Sequence, residues 1–303
     1  MKTMAAAMAV MGCVTAWSGY AEPVVDELEH QHSLRLPAPS YSSYSFPVSA
    51  NSAVFGYFGT SGDPALGRPV SHMRQLSGID SVEPDGDSRW LDPTRSDSTV
   101  FAVGYAWRAL KLEGSAFSRR EQEQQKTVTN DTLLRLTSSS ARLSYNPSPD
   151  WSFQFSRGNI SGLDQLEPGE DIRRTTISAT YGHAFNDGNW QTTLAWGRSV
   201  RKSREPMMGY LLESTLRFSS VHAVFGRLEQ VGSDELIREN DPAQRQMFKL
   251  KKFTIGYFHD VKTHGPLKFD AGVFASRHLL PSSAASYGND PTSYMLFIRF
   301  KLQ

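Results

Sequence analysis

From Ala53 onward the chain is a succession of segments about ten residues long with apolar side chains at every second position, the two-residue period of a strand. The sharpest case runs from Thr99 to Trp107, where Phe101, Val103, Tyr105 and Trp107 share one face and Ala102, Gly104 and Ala106 the other. Trp151, Phe153 and Phe155 alternate with Ser152, Gln154 and Ser156, and Trp190, Leu194 and Trp196 alternate with Gln191, Thr193, Ala195 and Gly197. Further on, Tyr210, Leu212, Leu216 and Phe218 oppose Glu213, Thr215 and Arg217, while Leu267, Phe269, Ala271 and Val273 oppose Lys268, Asp270 and Gly272, so charges recur in mid-strand. The last segment sets Tyr294, Leu296, Ile298, Phe300 and Leu302 against Met295, Phe297, Arg299 and Lys301.

This pattern predicts twelve strands, near 53–60, 98–107, 109–119, 133–146, 150–158, 173–185, 189–200, 208–219, 221–232, 248–261, 266–277 and 292–302. The connections between them alternate between long and short. The long ones fall at 61–97, 120–132, 159–172, 201–207, 233–247 and 278–291; the short ones fall at Arg108, Asn146 to Asp150, Asn186 to Gly188, Ser220 and Val261 to Gly265. Asn146-Pro147-Ser148-Pro149-Asp150 and Asn186-Asp187-Gly188-Asn189 supply the fixed or positive φ that a reversal needs.

Short turns on one side and longer loops on the other are the asymmetry of an antiparallel transmembrane β-barrel, which is the fold class expected for residues 51–303, with about twelve strands. A soluble sandwich or propeller also alternates, but its outward face is usually more heavily charged. Here the polar face is often Ser, Thr, Gly and Ala, and aromatics gather near strand ends as interfacial girdles do. In a barrel, Lys111, Glu113, Arg142, Glu213, Arg217, Arg227, Glu229, Lys268, Asp270 and Arg299 would line the lumen. Backbone groups cannot stay unpaired in lipid, so the sheet must close, with 53–60 pairing against 292–302 as one solution.

The N-terminus fits export. Lys2, an apolar stretch from Met4 to Thr15 and the ending Gly19-Tyr20-Ala21 have the layout of a secretory signal peptide over residues 1–21, cleaved near Ala21. A lipoprotein anchor on Cys13 is the competing reading, but Met11 beside Gly12 suits that processing site poorly. Residues 22–50, with Pro37, Pro39 and Pro47 among Ser and Tyr, read as a flexible leader. After cleavage at Ala21 no cysteine remains, which excludes disulfides and thiolate chemistry. Losing Lys2 takes the formal charge from +1 to zero, and no basic stripe with interleaved aromatics appears, so nucleic acid is not an expected partner. No apolar run approaches the roughly 20 residues of a spanning helix.

Several stretches resemble a family of Gram-negative outer-membrane β-barrel proteins, some of which occur in settings of copper or other heavy-metal resistance. They are Gly62-Asp63-Pro64-Ala65-Leu66-Gly67 with His72 nearby, Gly104 to Glu121, Ala141 to Gly158, Gln165 to Tyr181, Gly188 to Arg198 and Asp290 to Leu302, spread over roughly residues 52–302. The resemblance implies the barrel fold and an outer-membrane location more than any activity. Family members look longer, with about four more strands and a His-containing segment ahead of the point matching Ser52, so this chain reads as N-terminally shortened.

Candidate chemistry is sparse. His30 and His32 share one face of an extended segment, and His72-Met73 offers a soft donor pair of the kind copper accepts; these four are the candidate metal ligands. His183, His222, His259, His264 and His278 fall at strand ends or turns, where interfacial polarity accounts for them. A rim hydrolase would need Ser, His and an acid together, and His278 near Ser276, Ser282 and Ser283 is the only candidate found. Gly-x-Ser-x-Gly, phosphate-binding Gly loops and His-Glu-x-x-His are absent. The expected function is therefore a non-enzymatic outer-membrane pore or passive transport component with a polar, mixed-charge lumen and no cofactor. A metal-handling accessory protein and a rim hydrolase are the alternatives. The expected partners are outer-membrane lipid, the barrel-assembly machinery through the strand Tyr294 to Leu302, and metal ions if the second reading holds.

Overall fold

In the computed structural model the described residues are 41–59, 64–67, 98–119, 136–161, 171–202, 205–219, 221–233, 248–261, 267–279 and 292–302; at 41–43, 98, 119, 233, 267–268 and 299–302 only the backbone is described. They form thirteen strands: β1 (Tyr41–Ser49), β2 (Ser52–Gly59), β3 (Ser98–Trp107), β4 (Leu110–Arg119), β5 (Ser138–Ser148), β6 (Trp151–Ile160), β7 (Ile172–Phe185), β8 (Gly188–Val200), β9 (Met207–Phe218), β10 (His222–Ser233), β11 (Phe248–Val261), β12 (Leu267–Leu279) and β13 (Thr292–Leu302). All belong to one sheet in which neighbours in sequence are neighbours in space, and every pairing is antiparallel.

The two faces of this sheet are inverted relative to a soluble protein. Leu112 is 56% exposed and Leu194 58%, whereas Lys111, Glu113 and Arg142 between and opposite them are 5%, 4% and 6% exposed. Large apolar side chains rarely line an outer surface so continuously, and charged ones are rarely buried without partners. A polar interior with an apolar exterior is the arrangement of a transmembrane β-barrel. Strands of eight to fourteen residues match the roughly 9–11 that a tilted strand needs to cross the hydrocarbon. Among the described residues no helix is long and apolar enough to cross a membrane.

The strand ends joined by the short connections 50–51, 108–109, 149–150, 186–187, 219–221 and 262–266 lie at one end of the sheet, and the strand ends joined by the longer connections lie at the other. Outward aromatics gather at the short-turn end: Trp151 lies 5.0 Å from Tyr181 and Tyr181 5.5 Å from Trp190, ring centroid to centroid. An outward aromatic band beside one end of the sheet is a feature of a transmembrane β-barrel.

β1 lies within the stretch read from sequence as leader. Tyr44, Phe46 and Val48 alternate there as they do elsewhere, but Pro47 sits among them, and proline within a run argues for an edge strand or none. In the structure β1 is indeed an edge, paired only with β2 along the described order. The added strand also changes closure. β1 and β13 both run toward the short-turn end, so the two free edges point the same way.

Candidate functional site

The inner wall is built mostly from hydroxyls and internally paired charges. Hydroxyls meet across strands at Ser115 and Ser140 (2.8 Å), Ser156 and Thr176 (2.7 Å), Thr180 and Thr193 (3.0 Å) and Thr254 and Ser276 (2.8 Å). Ser178 donates to Gln154 Oε1 at 2.8 Å. A small polar side chain at each inward position leaves room in the lumen while satisfying its own donor, which a buried hydroxyl requires.

Three charged groupings interrupt this wall. On β4 and β5, which pair Glu113 with Arg142 in register, Arg142 Nε donates to Glu113 Oε2 at 2.7 Å, and Lys111 Nζ lies 3.3 Å from Glu113 Oε1. Lys111 Nζ also stands 5.0 Å over the Phe55 ring, a cation–π contact. On β9 and β10, Arg227 Nε donates to Glu229 Oε1 at 2.6 Å and Arg227 Nη1 lies 3.8 Å from Glu213 Oε2. Near the short-turn end Arg217 pairs with Asp260 and stacks 5.4 Å over Phe258. The first grouping has a formal charge of +1 and the second of −1, and the third is neutral, so these three groupings together carry no net charge.

Of the residues expected to line the lumen, Lys111, Glu113, Arg142, Glu213, Glu229, Arg227 and Asp270 are buried and Arg217 is half-buried. Asp270 stands in register between Asp260 of β11 and Arg299 of β13. For Lys268 and Arg299 the backbone positions alone are described; Lys268 is opposite Lys301. His30, His32, His72 and Met73 lie outside the described residues. Of the rim hydrolase group, Ser282 and Ser283 also lie outside them, and the Ser276 hydroxyl is bonded to Thr254.

Buried Arg174 and Lys252 also belong to the wall and were not anticipated. Arg174 shares the parity of Thr176 and Ser178, a signal the sequence contains; Lys252 was obscured by the lysines just before it, Lys249 and Lys251. Apolar residues were missed too. Phe225, Phe258, Phe274 and Phe297 form a buried cluster with Ala223 on the inner face of β10 to β13.

The largest departure is the segment Pro64–Gly67, within a connection expected to be an outer loop. It turns inward and seats against β4 and β6 at mid-strand. The Ala65 N–H donates to Ser115 Oγ at 2.9 Å, the Gly67 N–H to Ser156 Oγ at 2.8 Å, and Gln154 Nε2 donates to the Gly67 carbonyl at 2.6 Å. Leu66, 1% exposed, packs with Tyr57, Val100, Ala102, Phe117 and Ile160. Gly67 has φ 78°, in the left-handed region that glycine enters without steric cost. At Gly158 a Cβ would stand 3.0 Å from Leu66 Cδ1 and 2.9 Å from Ser140 Cβ, so glycine there leaves room for the segment.

No protein-family model matches the chain, and no curated protein matches it in sequence. Among solved structures it is similar to OmpF of Salmonella typhi, in a complex with daunomycin, at 10% identity and TM-score 0.47, over 86% of this chain and 90% of that one. It is also similar to an anion-selective porin from Comamonas acidovorans at 12% identity and TM-score 0.42, over 75% and 67% of the two chains. A third is Wzi of Escherichia coli, a carbohydrate-binding β-barrel involved in group 1 capsule assembly, at 9% identity and TM-score 0.42, over 91% and 87%.

Proposed function

We propose that the chain is an outer-membrane pore, a passive conduit for small polar solutes that is narrowed at mid-height by Pro64–Gly67 and catalyses no reaction. The observation that carries this reading is the inner wall itself: hydroxyls satisfied by one another and charges paired in place, with a loop segment bonded into it rather than lying over the rim. Hydroxyls and amides replace part of a solute's hydration, and balanced charges repel neither ion sign strongly. Export across the inner membrane and insertion by the barrel-assembly machinery through the amphipathic strand β13 belong to the same proposal. The residues expected for the metal-handling alternative, His30, His32, His72 and Met73, lie outside the described ones, and of the hydrolase group the Ser276 hydroxyl is bonded to Thr254.

The test is conductance of the detergent-refolded mature chain in planar bilayers, with a gel run in parallel on heated and unheated samples. A compact, heat-shifted band with small stepwise conductance and a reversal potential near zero in a salt gradient is expected. A heat-shifted band that conducts nothing at any voltage would sink the pore reading.

A further inference from the structure

On the outer wall at the short-turn end, β10 and β11 set His222 directly opposite His259. Both rings face outward, since Ala223 and Phe258 beside them are buried. Their Nδ1 atoms stand 3.3 Å apart, and Tyr257 Oη lies 2.6 Å from His222 Nδ1. The two rings are 4.7 Å apart, tilted by 40°, and His222 stacks on Phe218 at 5.4 Å. His222 Nδ1 therefore has both a second imidazole nitrogen and a phenol oxygen within reach.

We propose that His222 and His259 form a chelating pair for a tetrahedral borderline cation, Zn²⁺ first, on the outer surface of the barrel. Two nitrogens bound at about 2.05 Å to a tetrahedral ion stand roughly 3.3 Å apart, which is the separation observed. A square-planar ion with the same bond length would require about 2.9 Å, so the bite favours zinc over copper(II). Each imidazole binds as the neutral ring through a nitrogen lone pair, and the nitrogen that each ring brings nearest the other is Nδ1. The Phe218 and Tyr257 rings flanking His222 limit its reorientation, so little ordering remains to be done on binding.

Among the described residues no three or more of His, Cys, Asp and Glu converge in this way. On the described residues the protein would supply two ligands, and water would complete the four positions of a tetrahedral ion. Once His222 Nδ1 binds the ion, its hydrogen bond with Tyr257 is released, and Tyr257 Oη is placed to accept a hydrogen bond from a bound water. Asp260, the nearest carboxylate in sequence, is paired with Arg217 on the inner face. The inference is independent of the pore reading.

The test uses the full mature chain refolded in detergent, titrated with Zn²⁺ by calorimetry and with Co²⁺ as a spectroscopic probe. One equivalent of Co²⁺ with the intense visible bands of tetrahedral coordination, displaced by Zn²⁺, is expected. His222→Asn and His259→Asn should each weaken that equivalent about tenfold or more, because one imidazole alone retains no chelate gain. His183→Asn, at the same end of the barrel, should leave it unchanged, and the heated and unheated gel establishes that each variant folds. If the parent binds no equivalent, or both asparagine variants keep it at unchanged affinity, the proposal is overturned.

Discussion

Phe225 lies over Gly256 on the adjoining strand, and a Cβ added there would meet the ring at 2.2 Å. Phe55 over Gly104 and Phe297 over Gly272 repeat the arrangement, with Cβ-to-ring distances of 2.2 and 2.5 Å. In each pair an inward phenylalanine covers a cross-strand glycine, which shields the bare backbone and keeps the ring flat against the wall rather than across the lumen. Gly256→Ala should therefore force Phe225 off its site and cost about 1–3 kcal/mol by overpacking. Gly182→Ala, where a Cβ meets nothing within 4 Å, should be neutral; denaturant midpoints of the refolded barrels compare the two. A different balance holds at Glu113, which faces both Lys111 and Arg142. Glu113→Gln leaves two buried cations without their counter-charge, at a cost of roughly 3–5 kcal/mol. It also raises the positive charge of the wall, so whatever channel survives should shift toward anions in reversal-potential measurements.

Periodicity fails for the segment Pro64–Gly67, which has none, and it is tied down instead by three hydrogen bonds and the burial of Leu66. Burying a leucine side chain contributes on the order of 1.5–3 kcal/mol, enough to hold a short loop inside. Leu66→Ser should release the segment without disturbing the strands. Single-channel conductance would then rise and become noisier; an unchanged conductance would mean that the segment does not set the narrowest point. Strands were legible where one face is apolar and the other polar, as in β6 and β8, because period two is all that a two-faced wall requires. They were less legible where the inner face is also apolar: Phe225, Phe258 and Phe274 face inward because glycines and alanines across the sheet make space for them, a pairing visible only in register. Arg142, Arg227 and Asp270 could be assigned an inward parity from sequence, but which partner neutralises Arg142 depends on the β4–β5 register.

The thirteen strands of the described residues form an antiparallel meander that leaves a topological remainder. Because directions alternate, β1 and β13 run the same way, and direct closure would need one parallel pairing among antiparallel ones. Outer-membrane barrels of single bacterial chains have even strand numbers, which let every pairing be antiparallel. An open edge in lipid leaves a row of unsatisfied N–H and C=O groups at several kcal/mol each, so the edges of β1 and β13 cannot both stay bare. Ahead of β1, residues 22–40 are more chain than the roughly ten residues of one crossing. A chain beginning at Tyr41 should therefore refold with a much weaker heat-shifted band than the chain beginning at Glu22, with strand content by circular dichroism reported beside it. If the truncated chain instead gives the same compact band, β1 and β13 close on each other in parallel, and the barrel has thirteen strands.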